Sequence, residues 1–288
     1  MASAVATTAT ASRQSRRRDR PAPLEYGRKR WLRVTMGFGF FFLYFPIVAL
    51  IVFSFNNSKR NVTWQGFTTD FYVKAYNNAS LHDAFTNSMI IAFSATLVST
   101  VIGSMLGLAL YRYRFPAKGP FDGLVHLPIV IPEICMAVAM LSFFAFLKVP
   151  FGLFTITASH IAFTFPFVAV VVRSRMAGFD ESLEEASRDL GATPSQTFFN
   201  VTLPYMVPGV VAGALLAFTL SLDDFVITFF TSGPASTTFP VKIYSMVRFS
   251  VTPEVNAAST VLIVVTLTLT ILAMWIQSRS GKSASGHG

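Results

Sequence analysis

Residues Ser182 to Pro204 read SLEEASRDLGATPSQTFFNVTLP, a polar stretch set between two long apolar ones. Ser182 followed at the third residue by Glu185 has the form of a capping box, in which hydroxyl and carboxylate reciprocally satisfy the free amides of a helix start. A helix is therefore predicted from Ser182. Leu183, Ala186 and Leu190 recur at spacings of three and four and share one face, while Glu184, Arg188 and Asp189 lie off it. Gly191 can take the left-handed conformation that ends a helix. Thr193, Pro194 and Gln196 then supply a second start, with proline at the first helical position and another capping-box pair. The island reads as helix, glycine break, helix.

What surrounds the island sets the class of protein. The chain has 288 residues, of which 52% are hydrophobic, 14% aromatic and only 13% charged. Soluble chains carry about 25% charged residues, so a membrane protein is indicated. Five charge-free runs reach the roughly 20 residues that a bilayer crossing needs: Val34 to Ser58, Ala84 to Tyr111, Val149 to Val172, Leu190 to Leu222 and Val255 to Ser278. A further run, Gly123 to Leu147, is interrupted only by Glu133. The expectation is an all-α, polytopic membrane protein with six transmembrane helices over residues 31–278, flanked by disordered tails at 1–30 and 279–288, with residues 174–206 forming one connecting loop.

The formal net charge of +9 could suggest nucleic acid, but the basic residues are partitioned by segment. With the N-terminus inside, 17 of the 23 Lys and Arg fall on inner segments: the tail, Arg112 to Lys118, Arg173 to Arg188, and the stretch after the last helix. This asymmetry follows the positive-inside rule, places both termini in the cytoplasm and leaves no call for a nucleic-acid partner. Arg16 to Arg18 invite a twin-arginine export reading, yet the apolar run that follows is too long for a signal core and no small-residue cleavage site follows it. A retained first helix is expected, with Trp31 and Arg33 at its inner end and Pro46 as a potential kink.

The first outer loop, Asn56 to Asp83, carries Trp64, Phe67, Phe71, Tyr72 and Tyr76, either as interfacial packing or as a contact surface for an external partner. In the second helix Gly103 and Gly107 form a small-xxx-small pair that permits close helix approach. In the third, His126, Pro128 and Pro132 precede Glu133, which falls ~15 Å along the axis from Gly123 at 1.5 Å per residue. A carboxylate at that depth has two readings, a functional group or a structural one bonded to amides freed by the prolines. Cys135 is the single cysteine, so no internal disulfide forms, and neither His126 nor His160 has a second ligand at helical spacing. No metal site is expected.

The fifth helix ends in Ser221-Leu222-Asp223-Asp224-Phe225, with Asp223 ~24 Å along the axis from Val207. Two adjacent acids at that depth are costly unless they face a polar cavity or a cation. Helical neighbours are ~100° apart, so one can face a central pathway while the other turns to a neighbouring helix. The structural alternative pairs them with Lys242 or Arg248, or uses them as caps. From Thr231 to Glu254 a loop rich in small residues turns amphipathic around Ile243, Met246 and Val247, which predicts a short outer helix. Trp275 marks the inner end of the last span.

The island carries a family resemblance. Glu185-Ala186-Ser187, three residues, Gly191, nine residues, then Val201-Thr202-Leu203-Pro204 resembles the EAA loop of ABC-importer permeases, with Ser187 and Val201 departing conservatively from the pattern. In that family the loop docks on the ATP-hydrolysing subunit. The resemblance therefore implies a type I permease fold and a coupling surface at Leu183, Glu185, Ala186, Ser187, Leu190, Gly191, Leu203 and Pro204. The stretches SLDDFVITFFTSGP and FPVKIYSMVRFSVTPEVNA resemble the permease subunits of spermidine/putrescine importers, a likeness covering about residues 31 to 278.

It implies a polyamine pathway in a bacterial inner membrane, with Glu133, Asp223, Asp224 and Phe225 on the substrate side. The implied partners are a cytoplasmic ABC ATPase dimer, a second, homologous permease, a periplasmic or lipid-anchored polyamine-binding protein and membrane lipid. The chain has no GxxxxGK[ST] loop, so it is expected to be no enzyme and to bind no cofactor, with ATP and Mg used by the partner. Other solutes (ferric ion, sulfate, an opine) and a proton-coupled secondary transporter are the competing readings.

Overall fold

The computed structural model describes residues 30–58, 63–249 and 252–283. The tail disorder expected over 1–29 and 284–288 lies outside the described residues, as does the side chain of Trp275. Among the described residues every element is helical apart from one isolated antiparallel bridge, Asn56 to Phe67. A first unit, ending at Val52, holds all but the last residue of α1 (Arg30–Phe53), whose apolar side chains, Phe38, Phe42 and Leu43 among them, are exposed and which contains Pro46.

In the second unit, Phe53–Gly288, α2 (Asp70–Asn77) leads through Asn78, whose side chain caps the next helix by accepting from the Leu81 amide, into α3 (Ala79–Arg112). The expected outer loop thus holds a helix, and three of its aromatics pack on phenylalanines that precede it. Phe55 stacks on Phe67 at 5.3 Å, meets Tyr72 at 5.0 Å, and Phe53 meets Trp64 edge-on.

The span expected from Gly123 to Leu147 is not one helix. It is α4 (Lys118–Val130) and α5 (Glu133–Phe146), bent by 104°. The cause is local. Pro132 has no amide to donate and forces Ile131 out of the helical region, to φ −68° and ψ 136°. Glu133 therefore sits in the first turn of a new helix rather than partway along a straight one.

After α6 (Leu153–Met176) comes the polar island. Here α7 spans Ser182–Asp189, α8 spans Pro194–Thr197, and a π-helical turn, Phe198–Thr202, runs into α9 (Leu203–Leu222). The second predicted start is as expected, with the Thr193/Gln196 capping box formed and Pro194 at its head. Gly191 has φ +86°, the left-handed break. The Ser182/Glu185 box is not formed. The Ser182 amide donates instead to Asp180 Oδ1 at 3.0 Å, so the earlier carboxylate has taken the capping role. Hydrogen bonds from the Ser182 side chain and amide hold the Asp180 carboxyl below its ordinary pKa.

The core of the unit is the packing of α3, α6 and α9. A Cβ built on Gly103 would lie 2.6 Å from both the Phe165 carbonyl oxygen and Val168 Cβ, and one on Gly213 would lie 2.9 Å from Val168 Cγ1. Val168, fully buried, is clasped between α3 and α9 at two positions where only glycine leaves room. Val172, Met176, Met206 and Ala217 continue this core.

Beyond α9 the chain breaks at Asp223 and forms α10 (Val226–Thr231), α11 (Phe239–Phe249, the predicted short helix) and α12 (Pro253–Ser283). The last helix runs through residues 279–283, which were expected to belong to the disordered tail. Four helical stretches are long and apolar enough to cross a membrane, Trp31–Phe53, Ala79–Arg112, Leu153–Met176 and Pro194–Leu222, and a fifth crossing results if the bent pair is one span. In α12 the apolar portion is Pro253–Thr268.

Candidate functional site

The three acids singled out at membrane depth come together, at two helix breaks. Asp223 and Asp224 are not successive residues of a helix as expected. Asp223 is the C-cap of α9 and Asp224 precedes α10, so they occupy the interruption itself. Glu133 opens α5 at the other interruption, α5 packs along α10, and the Glu133 and Asp224 carboxyls are within hydrogen-bonding reach.

The two aspartates have separate environments. Asp223 is exposed. Asp224 is buried, and its Oδ1 accepts from the Thr228 amide at 2.8 Å and from Thr228 Oγ1 at 2.9 Å, capping the start of α10. Sequence reasoning had one of the pair turning to a neighbouring helix, and the neighbour is α6 through His160. His160 Nδ1 is 2.7 Å from Ser221 Oγ, and Nε2 is 3.0 Å from Thr228 Oγ1 and 3.3 Å from Asp224 Oδ1. With the ring proton on Nε2, a continuous chain runs from the Ser221 hydroxyl to His160, from His160 to Thr228, and from Thr228 to Asp224. Every group in it is satisfied. Both ring nitrogens of His160 find polar partners on α9 and α10.

The described ion pairs do not include Lys242 or Arg248 with either aspartate. Phe225, half-buried, meets Phe229 at 5.5 Å and Tyr244 of α11 at 4.7 Å. Tyr244 was missed in the sequence, where it lay among the residues of an amphipathic loop. Its place in the aromatic group depends on α11 folding back on α10, which no local pattern reveals. The acids thus lie beside an aromatic surface.

At the other polar feature, Leu183, Glu185, Ala186, Leu190 and Gly191 are exposed, with Leu190 at 89%. Pro204 is exposed too, whereas Leu203 packs against the core and Ser187 is half-buried, bonded to Thr197 Oγ1 at 3.2 Å. The residue that sequence reasoning misplaced is Glu184, assigned to a polar face but in fact the buried residue of α7. Its carboxylate accepts from Arg112, Thr202 and Arg188. The Glu184/Arg188 spacing of four was the available signal, and it reads equally well as an exposed helix pair.

A bundle of long apolar helices, two of its spans broken beside carboxylates, with a polar island that opens on a short helix edged by exposed Leu183 and Leu190, describes a solute-translocating membrane subunit. The chain belongs to the family described as binding-protein-dependent transport system inner membrane component, whose sequence pattern matches residues 99–285. It is 42% identical over 245 residues to the spermidine/putrescine transport system permease protein PotC of Escherichia coli K12, which covers 85% of this chain and 93% of that one. It is 37% identical over 262 residues to the putrescine transport system permease protein PotI of the same organism, covering 88% and 93%.

Among solved structures, the fold matches a bacterial ABC transporter that imports the acidic polysaccharide alginate, with a TM-score of 0.66, 18% identity and coverage of 86% and 96%. It also matches the MetNI methionine ABC transporter, with a TM-score of 0.59, 22% identity and coverage of 69% and 95%. The protein is an inner-membrane transport component rather than an enzyme, and membership of a binding-protein-dependent family sets aside the proton-coupled alternative.

Proposed function

We propose that this chain forms half of the membrane pathway of an ATP-driven polyamine importer. The observation that carries the reading is the meeting of Glu133, Asp223 and Asp224 at paired helix breaks, beside Phe225 and Tyr244. A multiply charged cation loses hydration on entering the bundle, and carboxylates gathered at one place replace the hydration of an ammonium group there. Aromatic faces add cation–π attraction worth about 0.5–2 kcal/mol per contact. Asp223, exposed, is the group offered to substrate. Asp224, capping α10 and bonded to the His160 chain, holds the break in shape, and Glu133 extends the acidic surface from α5. The names of the PotC and PotI relatives, which are spermidine/putrescine and putrescine permeases, support the same solute class.

In this reading the chain crosses the membrane six times with both termini in the cytoplasm, α12 being the sixth crossing. The exposed face of α7 seats in a groove of a cytoplasmic ABC ATPase dimer, which uses the ATP and Mg. A homologous second permease completes the pathway, and an external binding protein delivers the polyamine. Nucleotide-driven movement of α7 is passed to the bundle and turns the acids from one side of the membrane to the other. The test is Asp223→Asn in the assembled transporter. A cation route loses most of its uptake, whereas a route for sulfate or another anion does not; unchanged polyamine uptake in that variant contradicts the reading.

A further inference from the structure

We propose that Glu184 is a positioning residue, the strut through which movement of α7 reaches α3 and α9. The inference rests on the reading of α7 as the ATPase-facing helix and adds how that helix is joined to the bundle. The eight-residue α7 turns its apolar side chains outward, so apolar packing does not fasten it. Its one buried residue is Glu184, 7% exposed, beside a cavity of about 180 Å³ that Tyr111, Met176 and Phe179 also line.

Three elements converge on that carboxylate. Arg112 is the last residue of α3 and donates from Nη2. Thr202, fully buried, is the last residue of the π-helical turn and hands the chain directly to α9. Arg188, one turn along α7, lies at 3.4 Å and is half exposed. The other acids at the cavity, Glu181 and Glu185, are exposed, and Tyr111 Oη donates to Glu181 at 3.3 Å.

Apolar surfaces slide over one another, but a buried carboxylate held by charge-assisted hydrogen bonds from three elements has one good geometry and resists displacement. Moving α7 therefore drags the ends of α3 and α9 with it. Those two helices clasp α6 through Gly103 and Gly213, and the far end of α9 carries Ser221 and the two aspartates. A pull at Glu184 is thus delivered to the His160 chain and to Asp223 by rigid helices.

The experiment uses the whole transporter, purified through a tag on this chain and reconstituted in vesicles, with ATP hydrolysis and solute uptake measured on the same sample. Glu184→Gln is the decisive variant, because glutamine keeps an acceptor for Thr202 and loses the charge that holds Arg112. The ATPase is expected to remain bound and to hydrolyse ATP, while uptake per ATP falls about tenfold, within the 5- to 150-fold range of coupling between linked sites. Arg112→Ala is expected to do the same, and the double variant to be no worse than either alone. Unchanged uptake per ATP in Glu184→Gln overturns the proposal. So does loss of the protein from the membrane or of its bound ATPase, since either makes Glu184 an assembly residue only. Leu190→Arg, on the outward face, is expected to release the ATPase; retention of the ATPase there overturns the α7 reading itself, whatever Glu184→Gln does.

Discussion

His160 Nε2 lies 3.3 Å from Asp224 Oδ1, with both side chains almost fully buried between α6 and the break that separates α9 from α10. This contact ties the interruption of one span to the middle of another, and Ser221 and Thr228 complete it on either side. Replacing His160 with Leu leaves three polar groups short of a partner. The expected cost is about 1–3 kcal/mol, read as a lowered midpoint of thermal unfolding in detergent. An unchanged midpoint would mean that the buried chain does not stabilise the fold.

The two aspartates are expected to separate. Asp223→Asn leaves thermal stability near that of the parent and removes most of the uptake. Asp224→Asn weakens a helix cap and the bond to His160, so it lowers stability by about 1–2 kcal/mol in addition to impairing transport. Uptake and unfolding measured on the same preparations decide it; equal destabilisation by both variants would remove the division of labour.

Four of the spans and the polar island were legible because both depend on composition and short spacings. A run without charge needs no tertiary information, and the Thr193/Gln196 box and Gly191 are set by local hydrogen bonds and by φ. Where local options competed, the choice was not legible. Asp180 displaced Ser182 as the cap, an outcome that depends on where the chain leaves α6. Pro132 was visible, but a proline can kink or end a helix, and only the packing of α5 on α10 shows which. The meeting of Glu133 with Asp224 and the inward turn of Glu184 are long-range. Charge at a membrane depth can be counted along an axis, but its partner cannot.

Gly191 is held at φ +86°, where a side chain costs about 1–2 kcal/mol. Gly191→Val is therefore expected to redirect the chain between α7 and α8 and to abolish uptake, while membrane insertion is retained. Immunoblots of membrane fractions alongside uptake assays check both halves. Normal uptake would contradict a coupling role for this segment.

Gly103→Leu places a side chain where even a Cβ meets the Phe165 carbonyl oxygen at 2.6 Å. Forcing α3 and α6 apart is expected to cost about 1–3 kcal/mol, as overpacking does elsewhere. Gly119→Leu, where no atom stands within 4 Å of the new Cβ, is the control expected to be neutral. Comparable losses in the two variants would show that close approach at Val168 is not what Gly103 provides.

The central claim is that this chain carries a polyamine past Asp223 at the expense of ATP. It is tested most directly by uptake of labelled putrescine and spermidine into vesicles holding the reconstituted transporter with its binding protein and ATPase. ATP-dependent accumulation of at least one polyamine, lost in Asp223→Asn, is the predicted result. Absence of polyamine uptake by a complex that imports another solute, or polyamine uptake indifferent to ATP or to Asp223→Asn, would contradict it.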